Sequence, residues 1–402
     1  MQWVNNQGVT FPKGFKAQGV ECAIKKPGVL DLAVIAADVP CAAAGVLTTN
    51  KVQAACVQYA KQILTGGKAQ AVVINAGNAN ACTGGQGLAD NLKMTELTAA
   101  GLGLKPQDVL VASTGVIGVN MPMDRVAAGI AEATKGVSVD GWENACHAIM
   151  TTDTVPKVAA VEFALNGKTV RMAGMAKGSG MIHPNMATML GFVTTDAAIS
   201  AACLQQAMKD AVAVSFNMIS VDGDTSTNDM CLILANGLAG NDLIDTVSSA
   251  DYQTFKEALD LITIHLAKAI ARDGEGATRL IEVTVNGAMN ELEARKAARG
   301  IVASSLFKSA VFGEDANWGR IICAAGYSGA EFDPALVDIY LGSQQMARGG
   351  MGIPFDEDIA RKDLGLPVVK VVLDFKQGAG QATAWGCDLT YDYVKINASY
   401  RS

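Results

Sequence analysis

Residues 177–196 read KGSGMIHPNMATMLGFVTTD, a glycine-rich turn, a histidine and a proline, then an apolar run. Between turn and run sits the pair Ala187–Thr188. A turn requires neither residue, but a nucleophile would. A threonine hydroxyl is weak until a base stands beside it. One solution is a cut that makes Thr188 an N-terminus, so that its own α-amine is the base. An α-amino group titrates near ~8, against ~10.4 for a lysine side chain, and so is poised close to a working pH. The β-methyl group of threonine restricts χ1 and helps aim the hydroxyl.

The cut can be self-made. The Thr188 hydroxyl attacks the Ala187 carbonyl, and water opens the resulting ester. Gly178, Gly180 and Pro184 can bend the chain for that attack, and the small Ala187 leaves room. An oxyanion then needs donors. The run STGVIG offers the Thr114 hydroxyl and the Gly115 backbone N–H, although the same run also reads as an ordinary strand-end turn.

Other chemistries find no support. GSGMIH has a histidine where a dinucleotide fingerprint needs its third glycine, and GGMG at residues 349–352 lacks a strand–turn–helix frame. There is no P-loop and no GxSxG elbow. The three histidines, His147, His183 and His265, are scattered. His147 and His265 fall on expected helices as packing or surface residues, and His183 alone reads as structural. Nine cysteines form no CxxC pair, so a zinc site is unsupported. Most lie in apolar stretches, as small hydrophobes, which suits a reducing cytoplasm. A net charge of −7 and a pI near 5.1 argue against nucleic acid as a partner. The start of the chain does not read as a signal peptide. The best membrane candidate, residues 29–49, is interrupted by Asp31, Asp38 and Pro40 and reads as buried strand.

The elements that must position these residues follow from periodicity. With 50% hydrophobic and 5% aromatic residues, the core must be aliphatic. Short strands and turns are expected over residues 1–50 and a helix over 51–65. A buried strand then runs into the Asn/Gly loop INAGNANACTGGQG, which can line a site. Helices are expected over 90–102, up to about Thr151, and over 250–272, with Asp196 capping a helix that starts at Ala197. A strand at 108–118 breaks at Ser-Thr-Gly. Asn166-Gly167 marks a hairpin between two apolar runs. The pattern is α+β, with antiparallel hairpins.

The segment MAKGSGMIHPNMATMLGFVTTDA resembles the self-cleavage segment of the glutamate N-acetyltransferase/ornithine acetyltransferase family of arginine biosynthesis. VTFPKGFKAQGVECAIK, INAGNANACTGGQG, VASTGVIG, IMTTDTVPK, RDGEGATRLIEV, SAVFGEDANWGRI and VKINASYRS resemble that family in the same order. Together these blocks span essentially all 402 residues. The resemblance implies Thr188 as nucleophile after cleavage behind Ala187, and Thr114 with Gly115 as oxyanion hole. It implies that Thr151 (or its neighbour Thr152), Lys177, Glu275, Asn397 and Ser402 contact substrate. Lys177 would suit the α-carboxylate of ornithine or glutamate, and Glu275 the distal ammonium of ornithine. The chain end, usually a floppy tail, would fold back into the site.

The implied reaction is ping-pong transfer of acetyl from N2-acetylornithine to L-glutamate, with acetyl-CoA as a possible second donor and no bound cofactor or metal. The implied fold is a four-layer αββα sandwich with a smaller α/β part. Cleavage would leave residues 1–187 and 188–402, an α chain of 187 and a β chain of 402 − 187 = 215 residues, in a cytoplasmic α2β2 heterotetramer. The rival readings are an N-terminal-nucleophile amidohydrolase or aminopeptidase, which would pass the acyl group to water, and an uncut binding protein.

Overall fold

The computed structural model describes residues 1–183 and 189–399. Thr188, Ala187 and Ser402 lie outside these residues, as does Pro184. Among the described residues the chain forms two mixed sheets and eleven α-helices.

The first sheet takes β1 (Gln2–Trp3), β2 (Phe15–Val20), β3 (Leu32–Leu47), β4 (Lys68–Asn78), β5 (Val109–Val116), β6 (Lys157–Leu165), β7 (Lys168–Lys177) and β8 (Leu190–Thr195). After β9 (Ile219–Ser220), which joins the second sheet, β10 (Met230–Ala235) returns to the first. The order across the first sheet is β1-β6-β7-β8-β10-β3-β4-β5, with β2 also on β3. Strands from both sides of residue 188 therefore share it: β8 and β10 lie between β7 and β3. The second sheet has the order β14-β13-β12-β15-β11-β16-β9. Its other strands are β11 (Leu280–Ala288), β12 (Asp338–Leu341), β13 (Gln344–Arg348), β14 (Met351–Gly352), β15 (Val368–Asp374) and β16 (Gly380–Cys387).

Helices α1 (Ala55–Leu64), α2 (Gly84–Leu102), α3 (Met123–Gly136) and α4 (Trp142–Ile149) pack with β2–β5 around one aliphatic core. A second core joins α5 (Ala201–Val214) and α6 (Ala250–Arg272) to the first sheet on one side and the second sheet on the other. Helices α7 (Glu291–Ala303), α8 (Ser305–Phe312), α9 (Trp318–Gly326) and α10 (Glu357–Leu364) complete the part built on the second sheet, and α11 (Tyr391–Ser399) closes the described chain. The α+β expectation holds.

Local chemistry explains the joints. The interrupted apolar run is β3, and the break in its pairing with β4 falls between Ala36 and Cys41, around Asp38 and Pro40. Proline cannot donate to a ladder and is tolerated at such an irregularity. Asn166 (φ 47°) and Gly167 (φ 74°) turn β6 into β7, the paired positive φ values of a type I′ hairpin. Among the described residues no helix is long and apolar enough to cross a membrane. All nine cysteines are free, and only Cys82 and Cys323 are exposed.

Three expectations need correcting. Asp196 caps no helix: α5 begins at Ala201 behind Ser200, whose hydroxyl accepts from the Cys203 amide at 3.3 Å. The Asp196 carboxylate is buried instead, accepting from the amides of Arg171 (2.7 Å) and Lys13 (3.1 Å), so it ties β7 to the N-terminal segment. Gly84–Gly87, expected as loop, is the first turn of α2. Ser113–Gly115 does not end its strand, because β5 continues to Val116.

Candidate active site

Strands β4 and β5 run parallel, with Ala76 opposite Thr114 and Gly77 opposite Gly115, and the register shifts at Asn78. Gly115 sits at φ 131°, and a Cβ there would lie 2.3 Å from the Gly77 carbonyl carbon. Only glycine permits this approach. The neighbouring asparagines hold the loop. Asn75 Nδ2 donates to the Asn78 carbonyl (2.8 Å), Asn78 Nδ2 to the Val119 carbonyl (3.0 Å), and Asn80 Nδ2 to the Gly87 carbonyl (2.8 Å). Asn228 Nδ2 then bridges the carbonyls of Ala79 (2.6 Å) and Ser113 (2.8 Å), locking loop to strand. The Thr114 hydroxyl, beside this clamp, donates to none of the described residues and faces a cavity of ≈ 200 Å³.

Lys177 ends β7 and lines the same cavity. Burial pushes its pKa down, against the pull of the Asp153 charge. Asp153 is the hub beneath it. One oxygen accepts from Lys157 Nζ (2.7 Å) and the Gly178 amide (2.6 Å), the other from the Thr151 amide (3.0 Å). Lys157 also bonds Asp273 at 2.6 Å. Burial alone would raise the Asp153 pKa, but the Lys177 and Lys157 charges and these donors bring it down to about 2. A carboxyl depressed in the folded state stabilises the fold above its ordinary pKa of ~3.9 and loses that contribution as pH falls towards 2. Asp153→Asn is expected to flatten the acid limb of a melting-temperature profile. It should also cost about 3 kcal/mol near neutrality, as a broken buried ion pair does.

Glu275 follows the C-terminus of α6 and is fixed from three sides. Its amide donates to the Ser179 carbonyl at 3.1 Å, its carboxylate accepts from Asn397 Nδ2 at 2.7 Å, and Gly180 lies against the carboxylate. Asn397 is on α11, so this helix reaches back to Glu275. Gly276, at φ 68°, lets α11 approach so closely that a Cβ there would meet the Tyr393 nitrogen at 2.7 Å. A Cβ on Gly180 would stand 2.3 Å from a Glu275 carboxylate oxygen. Gly180→Ala is therefore expected to swing Glu275 away from Asn397 and raise KM for a cationic substrate about tenfold, with a smaller change in kcat. Steady-state kinetics checks this, and an unchanged KM would remove Glu275 from substrate contact.

Thr114, Gly115, Thr151, Lys177, Glu275 and Asn397 all line this one cavity, and Thr152 lines it beside Thr151. A separate, much smaller pocket shares Thr114, Lys177, Ser226 and Asn228 with this cavity and is also lined by Met189, the residue after Thr188 in the chain. His183 does not line the cavity. Its Nδ1 lies 3.0 Å from Ser220 Oγ, and burial with the Arg299 and Lys308 charges pushes it down to about 4, so it is neutral and structural. Sequence reasoning missed Asp222, Asp224, Asn228 and Tyr393, which line the cavity, and Asp229, which lines the smaller pocket beside it. The signal was present in VDGDTSTND, a dense polar run wedged between apolar segments. Asp222 accepts from the amides of Met181 (2.5 Å) and Ile182 (2.8 Å) and so pins the glycine turn after Lys177. The cavity is polarised, its lining bringing the amine of Lys177 together with the acidic side chains of Glu275, Asp222 and Asp224.

A sequence model of the ArgJ family matches residues 16–402. The Arginine biosynthesis bifunctional protein ArgJ of Symbiobacterium thermophilum is 58% identical over 404 residues, covering 100% of both chains. ArgJ 1 of Clostridium acetobutylicum is 52% identical over 99% of this chain and 98% of its own. The crystal structure of the Bacillus halodurans ArgJ, at 50% identity and a TM-score of 0.52, is matched over 100% of that chain by 53% of this one. End-to-end identity above one half, together with the expected side chains meeting at one polarised cavity, leads to one conclusion: this chain belongs to the ArgJ family.

Proposed function

We propose that the protein transfers acetyl from N2-acetylornithine to L-glutamate through an acetyl ester on Thr188. The observation that carries this reading is the convergence of Thr114, Gly115, Thr151, Lys177, Glu275 and Asn397, drawn from five separate segments, on one cavity. In the first half-reaction the Thr188 hydroxyl attacks the acetyl carbonyl. Its proton passes to the α-amine of the same residue and on to the departing nitrogen of ornithine. The Thr114 hydroxyl and the Gly115 N–H hold the oxyanion. Lys177 takes the α-carboxylate, and Glu275, oriented by Asn397, faces the distal ammonium. Ser402 adds a hydroxyl. In the second half-reaction the amine of glutamate accepts the acetyl group. Acetyl-CoA is a further donor, and the chemistry needs no bound cofactor or metal. The relatives' names, bifunctional proteins of arginine biosynthesis, agree with two acetyl donors feeding one acceptor.

The nucleophile arises by self-cleavage between Ala187 and Thr188, and the two pieces stay together in a cytoplasmic α2β2 assembly. Residues 188–402 make up 215/402 = 53% of the sequence. That equals the share of this chain that accounts for the whole crystallised Bacillus halodurans chain. The test is mass spectrometry after brief mixing with N2-acetylornithine, expecting two chains and one acetyl group on Thr188. Release of acetate with no N-acetylglutamate, once glutamate is added, would mean a hydrolase and overturn the transferase reading.

A further inference from the structure

Thr114 and Gly115 sit on an edge strand. Among the described residues β5 pairs only with β4, and that ladder is irregular at Asn78, which faces both Thr114 and Val116. An edge strand beside such an irregularity is held from one side only and bends easily. Donors that must meet a developing charge need a firmer mount, because a displacement of about 1 Å can cost about 10²-fold in rate. Asn228 supplies one. It stands two residues ahead of β10, an interior strand of the same sheet, and is buried. Its own backbone is fixed, since the Asn228 amide donates to Ser226 Oγ (3.1 Å) and the Thr48 amide donates to the next carbonyl, that of Asp229 (3.0 Å). Nδ2 donates to the carbonyls of Ser113 and Ala79, while Oδ1 accepts from Thr227 Oγ1 at 2.6 Å. Only this orientation of the carboxamide gives the two carbonyls a donor. Ala79 closes the clamp. Its amide donates to the Val116 carbonyl at 2.9 Å, and its carbonyl takes Asn228 Nδ2. Ser113 and Val116 flank Thr114–Gly115, so both ends of the donor pair are tied to one side chain, Val116 by way of Ala79.

We propose that Asn228 is a positioning residue of acetyl transfer, holding the Thr114 hydroxyl and the Gly115 N–H where the oxyanion develops. The inference rests on the acetyl-transfer reading above. Peptide units are planar, so only the φ and ψ of Thr114 lie between the pinned Ser113 carbonyl and the Gly115 N–H. The pinned plane also ends at the Thr114 Cα, from which the hydroxyl is aimed. Asn228 lines the cavity, but both hydrogens of its amide are engaged with backbone carbonyls. It therefore has no donor left for substrate and acts through Thr114 and Gly115. Without it the Ser113 and Ala79 carbonyls would lose a buried donor, and the strand would settle where other donors can reach them.

The test is steady-state kinetics with N2-acetylornithine and glutamate on a double-mutant cycle, with rates counted per cut chain. Asn228→Ala is expected to lower kcat about 10²-fold while KM moves less than about threefold, because the donors act on charge present only in the transition state. If Asn228 acts through Thr114, the two losses overlap. Adding Asn228→Ala to Thr114→Ala is then expected to slow turnover by less than about tenfold more. A clamp that serves folding alone would lower the melting temperature and leave kcat of the folded protein near wild type, and that result would overturn the assignment. So would a full further 10²-fold loss in the double variant, or a loss carried by KM. Asn228→Ser keeps one shorter donor and leaves room for water. It is expected to show the same split at a smaller size, and it decides the matter should the alanine variant not fold. Wild-type protein that transfers no acetyl would overturn the acetyl-transfer reading itself, and the assignment with it.

Discussion

Thr188→Ala is expected to give one chain of 41.6 kDa on a denaturing gel, where wild type gives two of about half that mass, and no measurable acetyl transfer. The variant loses two groups at once. Without the hydroxyl no ester with Ala187 can form, so the chain is not cut and no α-amine appears. Even a chain cut by an added protease would have a base with nothing to deprotonate. Loss of a covalent nucleophile costs on the order of 10⁴-fold or more, and what remains is the contribution of binding and of the oxyanion donors. A Thr188→Ala preparation that still separates into two chains would assign the cut to another protease. A Thr188→Ser preparation keeps the hydroxyl and is expected to retain both events at reduced rates, because serine lacks the methyl group that restricts χ1.

Thr114→Ala is expected to lower kcat and the rate of self-cleavage together, each by about 10²- to 10³-fold, the usual worth of one oxyanion donor. Both reactions pass through a tetrahedral oxyanion, and one pair of donors serves both. The Thr114 hydroxyl donates to no described residue, so its removal breaks no donated bond among them, and the melting temperature is expected to stay within the range of a neutral surface change. KM should move little, since the donor acts on charge that develops only in the transition state. Parallel measurement of cutting and turnover checks the point. A variant slow in one and normal in the other would show that the two oxyanions occupy different places.

Much of the site was legible because its chemistry leaves local marks. Gly115 is required by the close approach of β5 to Gly77, and a glycine after a threonine at the end of an apolar run marks that place. Asn166-Gly167 declares its hairpin for the same kind of reason. Lys177, Glu275 and Asn397 were legible only through the family resemblance, because what joins them is tertiary. Asn397 reaches Glu275 across 122 positions of sequence. Asp153 and Asn228 act on their neighbours through backbone amides and carbonyls, which no spacing rule encodes. Asp196 misled for the converse reason. An aspartate ahead of a helical run is a good capping signal, but here the chain pairs once more, at Ile199 with Ile244, before the helix begins. The buried carboxylate serves β7 and Lys13 instead.

The order of the first sheet matters beyond the site. β8 and β10 are inserted between β7 and β3, with β7 and β3 contributed from one side of position 188 and the inserted pair from the other. Before the bond opens, unfolding and refolding are unimolecular. Afterwards the first sheet can be rebuilt only by two polymers finding each other, because its interleaved strands come from both. Heat or denaturant recovery is thus expected to be independent of protein concentration for the uncut form and to fall on dilution for the mature one. Maturation would exchange reversibility for activity, leaving the finished enzyme dependent on the slowness of its unfolding for its lifetime.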